Sequence, residues 1–332
     1  MSPGLGKSAS VTDTGRRRRH NEDAYVCEPP LFAVADGMGG AQAGELASGL
    51  AAAALRDESA ELAGGEQRVD DLIQEANRRV YQRQSEDASA SGMGTTMTVA
   101  LVDDAAGTVS FGHVGDSRAY RVRDGELEQL TDDHSLVGEL VRSGRLSPEE
   151  AGSHPQRSVI TRAVGTEPEV DVDTFTVEAE DGDLFLICSD GLTDMVGDEV
   201  VREAIVGSGG DLDRAARALV DAANQGGGED NITVVLFELS AASEGAIDDT
   251  KTMPASLAAS PDPDDEDTLS GLEPVSAVDT AVLSAEDVQR ELARGDGESG
   301  PRARRRSRWL AVVLLLLALA VLAVLVAWGL TR

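Results

Sequence analysis

Leu31-Phe32-Ala33-Val34-Ala35-Asp36-Gly37-Met38-Gly39-Gly40 is an apolar run that stops at an aspartate and then dissolves into glycine. The five apolar residues have the length and composition of a buried strand. Asp36 is expected at its tip. Burying one carboxylate costs several kcal/mol unless it is paired or bound to a cation. The same combination recurs. Asp190 follows Leu184-Phe185-Leu186-Ile187-Cys188-Ser189 and precedes Gly191, and Asp230 opens the strand-like run Ile232-Thr233-Val234-Val235-Leu236. Gly115-Asp116-Ser117 lies between two further strand-like runs, and Asn21-Glu22-Asp23 stands just before the first. Lone Asp-Gly pairs mark turns, and Asp124-Gly125 and Asp181-Gly182 are read as hairpins. Several aspartates fused to hydrophobic strands point instead to metal ions. Three carboxylates (Asp36, Asp190, Asp230) and the Gly37 carbonyl form a hard oxygen set, suited to Mg2+ or Mn2+. The four histidines, none paired with cysteine, argue against zinc.

Outward from these motifs, further strands are expected at 96–102, 108–114 and 118–122, and helices at 42–58, 69–84 and 211–224. Strands interrupted by helix pairs, with tight turns between them, predict antiparallel sheets covered by helices. Residues 131–168 have little strand character and read as an inserted flap.

The chain has 332 residues and a formal net charge of −31, unevenly divided. Segment 241–300 carries −12 and 301–332 carries +6, which leaves −25 on residues 1–240. So acidic a body excludes a nucleic-acid-binding role. Segment 241–300, rich in Ala, Ser, Pro and acids and without aromatics, is expected to be a disordered tether. Its coil dimension would be roughly 40 Å. Thr250, Thr252 and Thr268 in acidic surroundings could accept phosphate. Residues 301–308 are basic, and 309–330 form a charge-free run with tryptophan near each end. About twenty helical residues span the roughly 30 Å hydrocarbon core. The expectation is a single-pass anchor in the cell membrane with the body cytoplasmic. The first 30 residues lack a secretory apolar run, and the two cysteines are expected to be reduced and packed.

Other catalytic patterns fail. Neither cysteine has Arg six positions on, there is no Gly-x-Ser-x-Gly elbow, and Gly6-Lys7-Ser8 has no preceding strand to make a phosphate-binding loop. One member of the run Arg16-Arg17-Arg18-Arg19, beside Asn21-Glu22-Asp23, is better used to hold a phosphate bidentately than to bind nucleic acid.

In order, Arg18-x-x-Asn21-Glu22-Asp23, Ala35-Asp36-Gly37-Met38-Gly39-Gly40, Gly94-Thr95-Thr96, Gly115-Asp116-Ser117-Arg118, Ser189-Asp190-Gly191-Leu192 and Asp230-Asn231-Ile232-Thr233 resemble the metal-dependent Ser/Thr protein phosphatases of type 2C. The resemblance covers about 1–240. Thr131-x-Asp133-His134-Ser135 and His154-Pro155-Gln156-Arg157-Ser158 further resemble the flap of bacterial, membrane-anchored members that oppose receptor-type Ser/Thr kinases. It implies an α+β fold, a central antiparallel β-sandwich flanked by helices on both sides (four layers, α/β/β/α). It implies a catalytic domain over 1–240 that hydrolyses phosphoserine and phosphothreonine in proteins with a metal-activated water. Two Mn2+ or Mg2+ ions would sit on Asp36, Gly37, Asp190 and Asp230, and a weaker third on Asp116, Asp190 and the Ser158 carbonyl. Arg18 would bind the substrate phosphate, and Glu22 and Asp23 would orient water around the ions. Eukaryotic members often carry histidine two positions after the motif aspartate as general acid. Here that position is Met38, which leaves His134 as a weak substitute. The implied partners are phosphorylated proteins and kinases. The alternative is an inactive phosphatase fold serving as a membrane scaffold or sensor.

Overall fold

Alternation along a few strands explains the architecture. In the strand Leu31–Met38, Phe32 and Val34 face one way and Leu31, Ala33 and Ala35 the other, yet all five are buried. A strand buried on both faces must lie between two layers. The computed structural model describes residues 3–241, apart from 40, 59–64, 88–89 and 153, together with 281–282.

Two antiparallel sheets face each other. One has the order β1 (Pro3–Asp13), β12 (Ile232–Ala241), β11 (Leu184–Cys188), β7 (Arg118–Arg123), β8 (Glu126–Gln129). The other has the order β10 (Asp173–Glu178), β6 (Thr108–Val114), β5 (Met97–Asp103), β3 (Leu31–Met38), β2 (Asp23–Glu28), with the short β4 (Gly94–Thr95) also paired to β3. Between them lies an aromatic core. Phe32 stacks on Phe237 with ring centroids 4.2 Å apart, and Phe185 lies 5.2 Å from Phe237.

The outward faces are covered by helices. On the β3 sheet, α1 (Ala41–Asp57) and α2 (Gly65–Glu86) bury Ala47, Leu55, Leu72 and Ile73 against Leu31, Val99 and Leu101. On the β12 sheet, α6 (Asp198–Gly207) and α7 (Leu212–Gly226) bury Val201, Leu219 and Ala223 against Leu186, Val234 and Leu236. The layering is α/β/β/α, as the resemblance implied.

Segment 131–168 contains two short helices, α3 (Leu136–Arg142) and α4 (Pro148–Ala151), and the two-residue β9 (Val159–Ile160). Ser135 and Ser147 cap the helices by accepting from the backbone N–H of Gly138 and Glu150. The bridge Thr95–Val164 ties the segment to the body, and Ser135–Ile160 closes it on itself. One further helical turn, α5 (Asp190–Thr193), follows β11.

Two expectations are corrected. Asp181-Gly182 is not a hairpin: it joins β10 to β11, which belong to different sheets. Asp36 is not the strand tip either, because β3 continues through Gly37 to Met38 by pairing with β4. Asp124-Gly125 is the β7–β8 hairpin, with Asp124 at φ 54°. Both cysteines are free thiols, and burial pushes that of Cys188 up to about 12.

The expected basic segment and span at 301–330, and nearly all of the expected tether 241–300, lie outside the described residues. Within the tether, Ala281–Val282 pairs in parallel with β9. Among the described residues no helix is long and apolar enough to cross a membrane.

Candidate metal centre

The two sheets bring their acidic ends together at one edge. Register places Asp23 of β2 opposite Asp36 of β3. The Asp36 N–H donates to Thr96 Oγ1 at 3.0 Å, and its carbonyl accepts from Thr96 N–H and Thr95 Oγ1. From the other sheet, Thr233 Oγ1 and Ser189 Oγ donate to Asp23 Oδ2 at 2.6 and 2.9 Å. The Asp36 carboxyl faces the charges of Asp23, Asp190, Asp230 and Asp116.

Close backbone approach makes this convergence possible. A Cβ on Gly191 would lie 2.0 Å from the Asn231 carbonyl oxygen, and one on Gly37 would lie 2.1 Å from that of Gly44. Glycine is required at both positions. Asn231, almost fully buried, clamps the strand ends. Its Oδ1 accepts from Glu22 N–H at 2.8 Å, while its Nδ2 donates to the carbonyls of Thr14 and His20 at 2.9 Å each. Asp230 accepts from Asn231 N–H through Oδ1 and from Arg18 through Oδ2, at 2.8 and 2.7 Å.

The charges are mutually repelling. Burial, then the neighbouring aspartates, pushes the carboxyls of Asp36 and Asp190 well above the usual range. Asp23 is pushed up to about 6 and Asp116 to about 7, in each case mainly by burial. Asp23 Oδ1 and Asp190 Oδ1 are buried with no hydrogen-bond partner. With Asp230 turned onto Arg18, no three His, Cys, Asp or Glu side chains among the described residues form a ready-made ion clasp. The unpartnered oxygens and like charges still fit hard cations, which would satisfy both.

Asp116 and Asp190 also line a cavity of about 390 Å3 that runs beneath α3 and α4 to Asp194 and Arg157. Asp194 lies one helical turn beyond Asp190, and its carboxyl is raised by burial. Arg118 grips Asp133 through two hydrogen bonds of 2.9 and 2.7 Å, which ties β7 to the flap.

The protein phosphatase 2C family profile matches residues 15–223. The chain belongs to the protein phosphatase 2C family. It is 43% identical over 238 residues to the serine/threonine phosphatase stp of Listeria monocytogenes, covering 68% of this chain and 93% of that protein. It is 42% identical over 233 residues to the serine/threonine protein phosphatase PstP of Mycobacterium tuberculosis, covering 70% of this chain and 44% of PstP. The crystal structure of M. tuberculosis PstP/Ppp superposes with a TM-score of 0.67 at 41% identity, covering 71% of this chain and 99% of that one. A PstP catalytic domain in complex with two manganese ions superposes at 0.65 with 38% identity, covering 71% of this chain and 99% of that one.

Of the residues expected in this phosphatase 2C site, Asp36, Asp190, Asp230, Asp23 and Arg18 converge, and Gly37 and Glu22 adjoin them, with Gly37 N–H donating to the Glu22 carbonyl. Asp116 is one step further along the cavity. Ser158 is half-buried beside Arg157. His134 is not poised as an acid. It is buried, Nδ1 accepts from Gly115 N–H at 3.1 Å, and Nε2 lies 3.0 Å from Asp173. Its ring positions the Gly115-Asp116 loop. Sequence reasoning passed over Asp194 and the Arg118–Asp133 pair; the spacing Asp190-x-x-x-Asp194 on one helical turn was the available signal.

The raised carboxyls predict a pH effect on the metal-stripped chain. Folded Asp23 and Asp116 hold protons up to about 6 and 7, whereas the ordinary value is 3.8. The folded state then binds more protons than the unfolded state in that window, so stability falls as pH rises through it. Chelated protein should melt at a higher temperature at pH 5 than at pH 8. In the Asp36→Asn variant, which has one repelling charge fewer, the difference should shrink. Scanning calorimetry at the two pH values checks both.

Proposed function

We propose that the chain hydrolyses phosphoserine and phosphothreonine in proteins, with two Mn2+ or Mg2+ ions held by Asp36, Asp190, Asp230 and the Gly37 carbonyl. The observation that carries this reading is the convergence of half-buried, mutually repelling aspartates, two of them with a buried and unpartnered oxygen, beside an arginine. Two such ions, when bound, acidify water and offset the charge that builds during in-line displacement at phosphorus.

The side chains supply the rest. Arg18, half-buried and aimed into the aspartate cluster, holds the phosphate oxygens. Asp23, fixed by Thr233 and Ser189, and Glu22, buried under α1, orient water. Met38 brings no proton to the leaving oxygen, and His134 is committed to Gly115 and Asp173. Asp116 and Asp190, which both line the cavity, would hold a third and weaker cation; Ser158, whose carbonyl was expected to join them, is not among the cavity's lining residues. In a body of charge −25, bound cations also give an anionic phosphoprotein a local field it can approach.

Residues 1–240 are the catalytic domain and 131–168 its flap. The acidic tether 241–300, the basic 301–308 and the charge-free 309–330 fit a phosphatase held at the cytoplasmic face of the cell membrane, where it would oppose Ser/Thr kinases. An inactive scaffold is disfavoured because every expected aspartate is present. The test is phosphate release from a phosphothreonine peptide by the full chain. Chelated enzyme should release none, and added Mn2+ should restore turnover. Turnover indifferent to chelation, or none with Mn2+, would defeat the proposal.

A further inference from the structure

Residues 15–20 read Gly-Arg-Arg-Arg-Arg-His, the densest run of positive charge among the described residues. Only part of it has a structural task. Arg18 meets Asp230 at 2.7 Å, and Arg16 donates through Nε to the Asn224 carbonyl at 2.8 Å. Arg17 and Arg19 are exposed, and neither side chain has an ion-pair or hydrogen-bond partner among the described residues. In so acidic a body this is unusual. Arg118 is held by Asp133, Arg123 by Asp183 and Glu180, and Arg162 by Asp173.

The loop that carries them is stiff. Asn231 Nδ2 donates to Thr14 and His20, one carbonyl on each side of the four arginines. Arg16 N–H donates to the Gly228 carbonyl at 2.7 Å. Gly15, at φ 77°, packs so closely that a Cβ would lie 2.1 Å from the Asp230 carbonyl oxygen. Two free guanidinium groups are therefore presented from a preorganised loop, on the residues directly before and after Arg18, which meets Asp230. Preorganisation removes much of the entropy cost that makes exposed charge pairs weak.

We propose that Arg17 and Arg19 form a secondary anion-reading site that selects phosphoproteins carrying a carboxylate or a second phosphate close to the phosphate being removed. This rests on the phosphatase reading of the site. Consecutive Cα atoms are about 3.8 Å apart and an extended substrate advances about 3.4 Å per residue, so the second anion belongs within about three residues of the target.

The test compares the full chain with the double variant Arg17→Gln/Arg19→Gln on three phosphothreonine peptides. One has glutamine two residues from the phosphothreonine, one has aspartate there, and one has a second phosphothreonine. The parent should show a KM about three- to tenfold lower for either anionic peptide than for the glutamine peptide, with kcat unchanged. That preference should shrink as salt rises from about 50 to about 300 mM, where the Debye length falls below 10 Å. The double variant should lose the preference while turning over p-nitrophenyl phosphate at the parent's rate. A preference for only one anionic peptide identifies which anion the site reads. No preference for either in the parent, or a preference that survives the double substitution, would overturn the proposal. Failure of the parent to turn over p-nitrophenyl phosphate with Mn2+ would instead overturn the phosphatase reading, and this proposal with it.

Discussion

Asp36→Asn should cost at least about a thousandfold in kcat/KM on a phosphothreonine peptide, about 4 kcal/mol of transition-state stabilisation. It should also raise the melting temperature of the chelated chain. The two effects have one cause. Asp36 is half-buried and is repelled by Asp23, Asp190, Asp230 and Asp116, so without cations its charge destabilises the fold. Asparagine has nearly the same shape and keeps the backbone links to Thr95 and Thr96, but it brings neither that charge nor a carboxylate ligand. Loss of activity with a gain in stability separates a ligand from a residue that merely holds the fold together. If the variant lost activity by unfolding, its melting point would fall.

Gly191→Ala should act in the opposite way, through structure. The new methyl would lie 2.0 Å from the Asn231 carbonyl oxygen and 2.9 Å from its carbon. Asn231 cannot yield, because its side chain holds Glu22, Thr14 and His20. The α5 turn must move, and Asp190 is its first residue. Overpacking against fixed backbone costs about 3 kcal/mol, a large share of the stability of an ordinary domain. Urea unfolding should show that loss, with activity reduced because Asp190 and Asp230 are driven apart. Gly49→Ala is the control. Gly49 lies within α1 with nothing within 4 Å of its Cβ position, so alanine should be neutral or stabilise by about 0.5–1 kcal/mol.

The central strands were legible because burial on both faces leaves an uninterrupted apolar run, as in Phe185-Leu186-Ile187 and Val234-Val235-Leu236. The edge strands were not. β1 is mostly Gly, Lys, Ser and Thr, and it owes its place to backbone pairing with β12, which leaves little trace in side-chain pattern. Among the described residues β10 pairs only with β6, and Asp181-Gly182 beyond it looks like a hairpin because a turn signal does not reveal which sheet the next strand joins.

In the site, Asp36, Asp190 and Asp230 could be read because each is fused to a strand. The Arg118–Asp133 grip, the Asn231 clamp and the ring of His134 against Gly115 depend on residues far apart in sequence. Each is an ordinary polar side chain until the fold supplies its partner. The arginine run was visible from the outset, but only the geometry separates the members that hold the loop and the site from the two left free.

The proposed chemistry requires the aspartates to be cation ligands. Calorimetric titration of Mn2+ into the chelated full chain, beside Asp36→Asn, measures this without reference to turnover. Binding of at least two ions by the parent, with the tighter binding lost in the variant, is the predicted result. Equal binding by the two proteins, or no more than one ion bound by the parent, would contradict it.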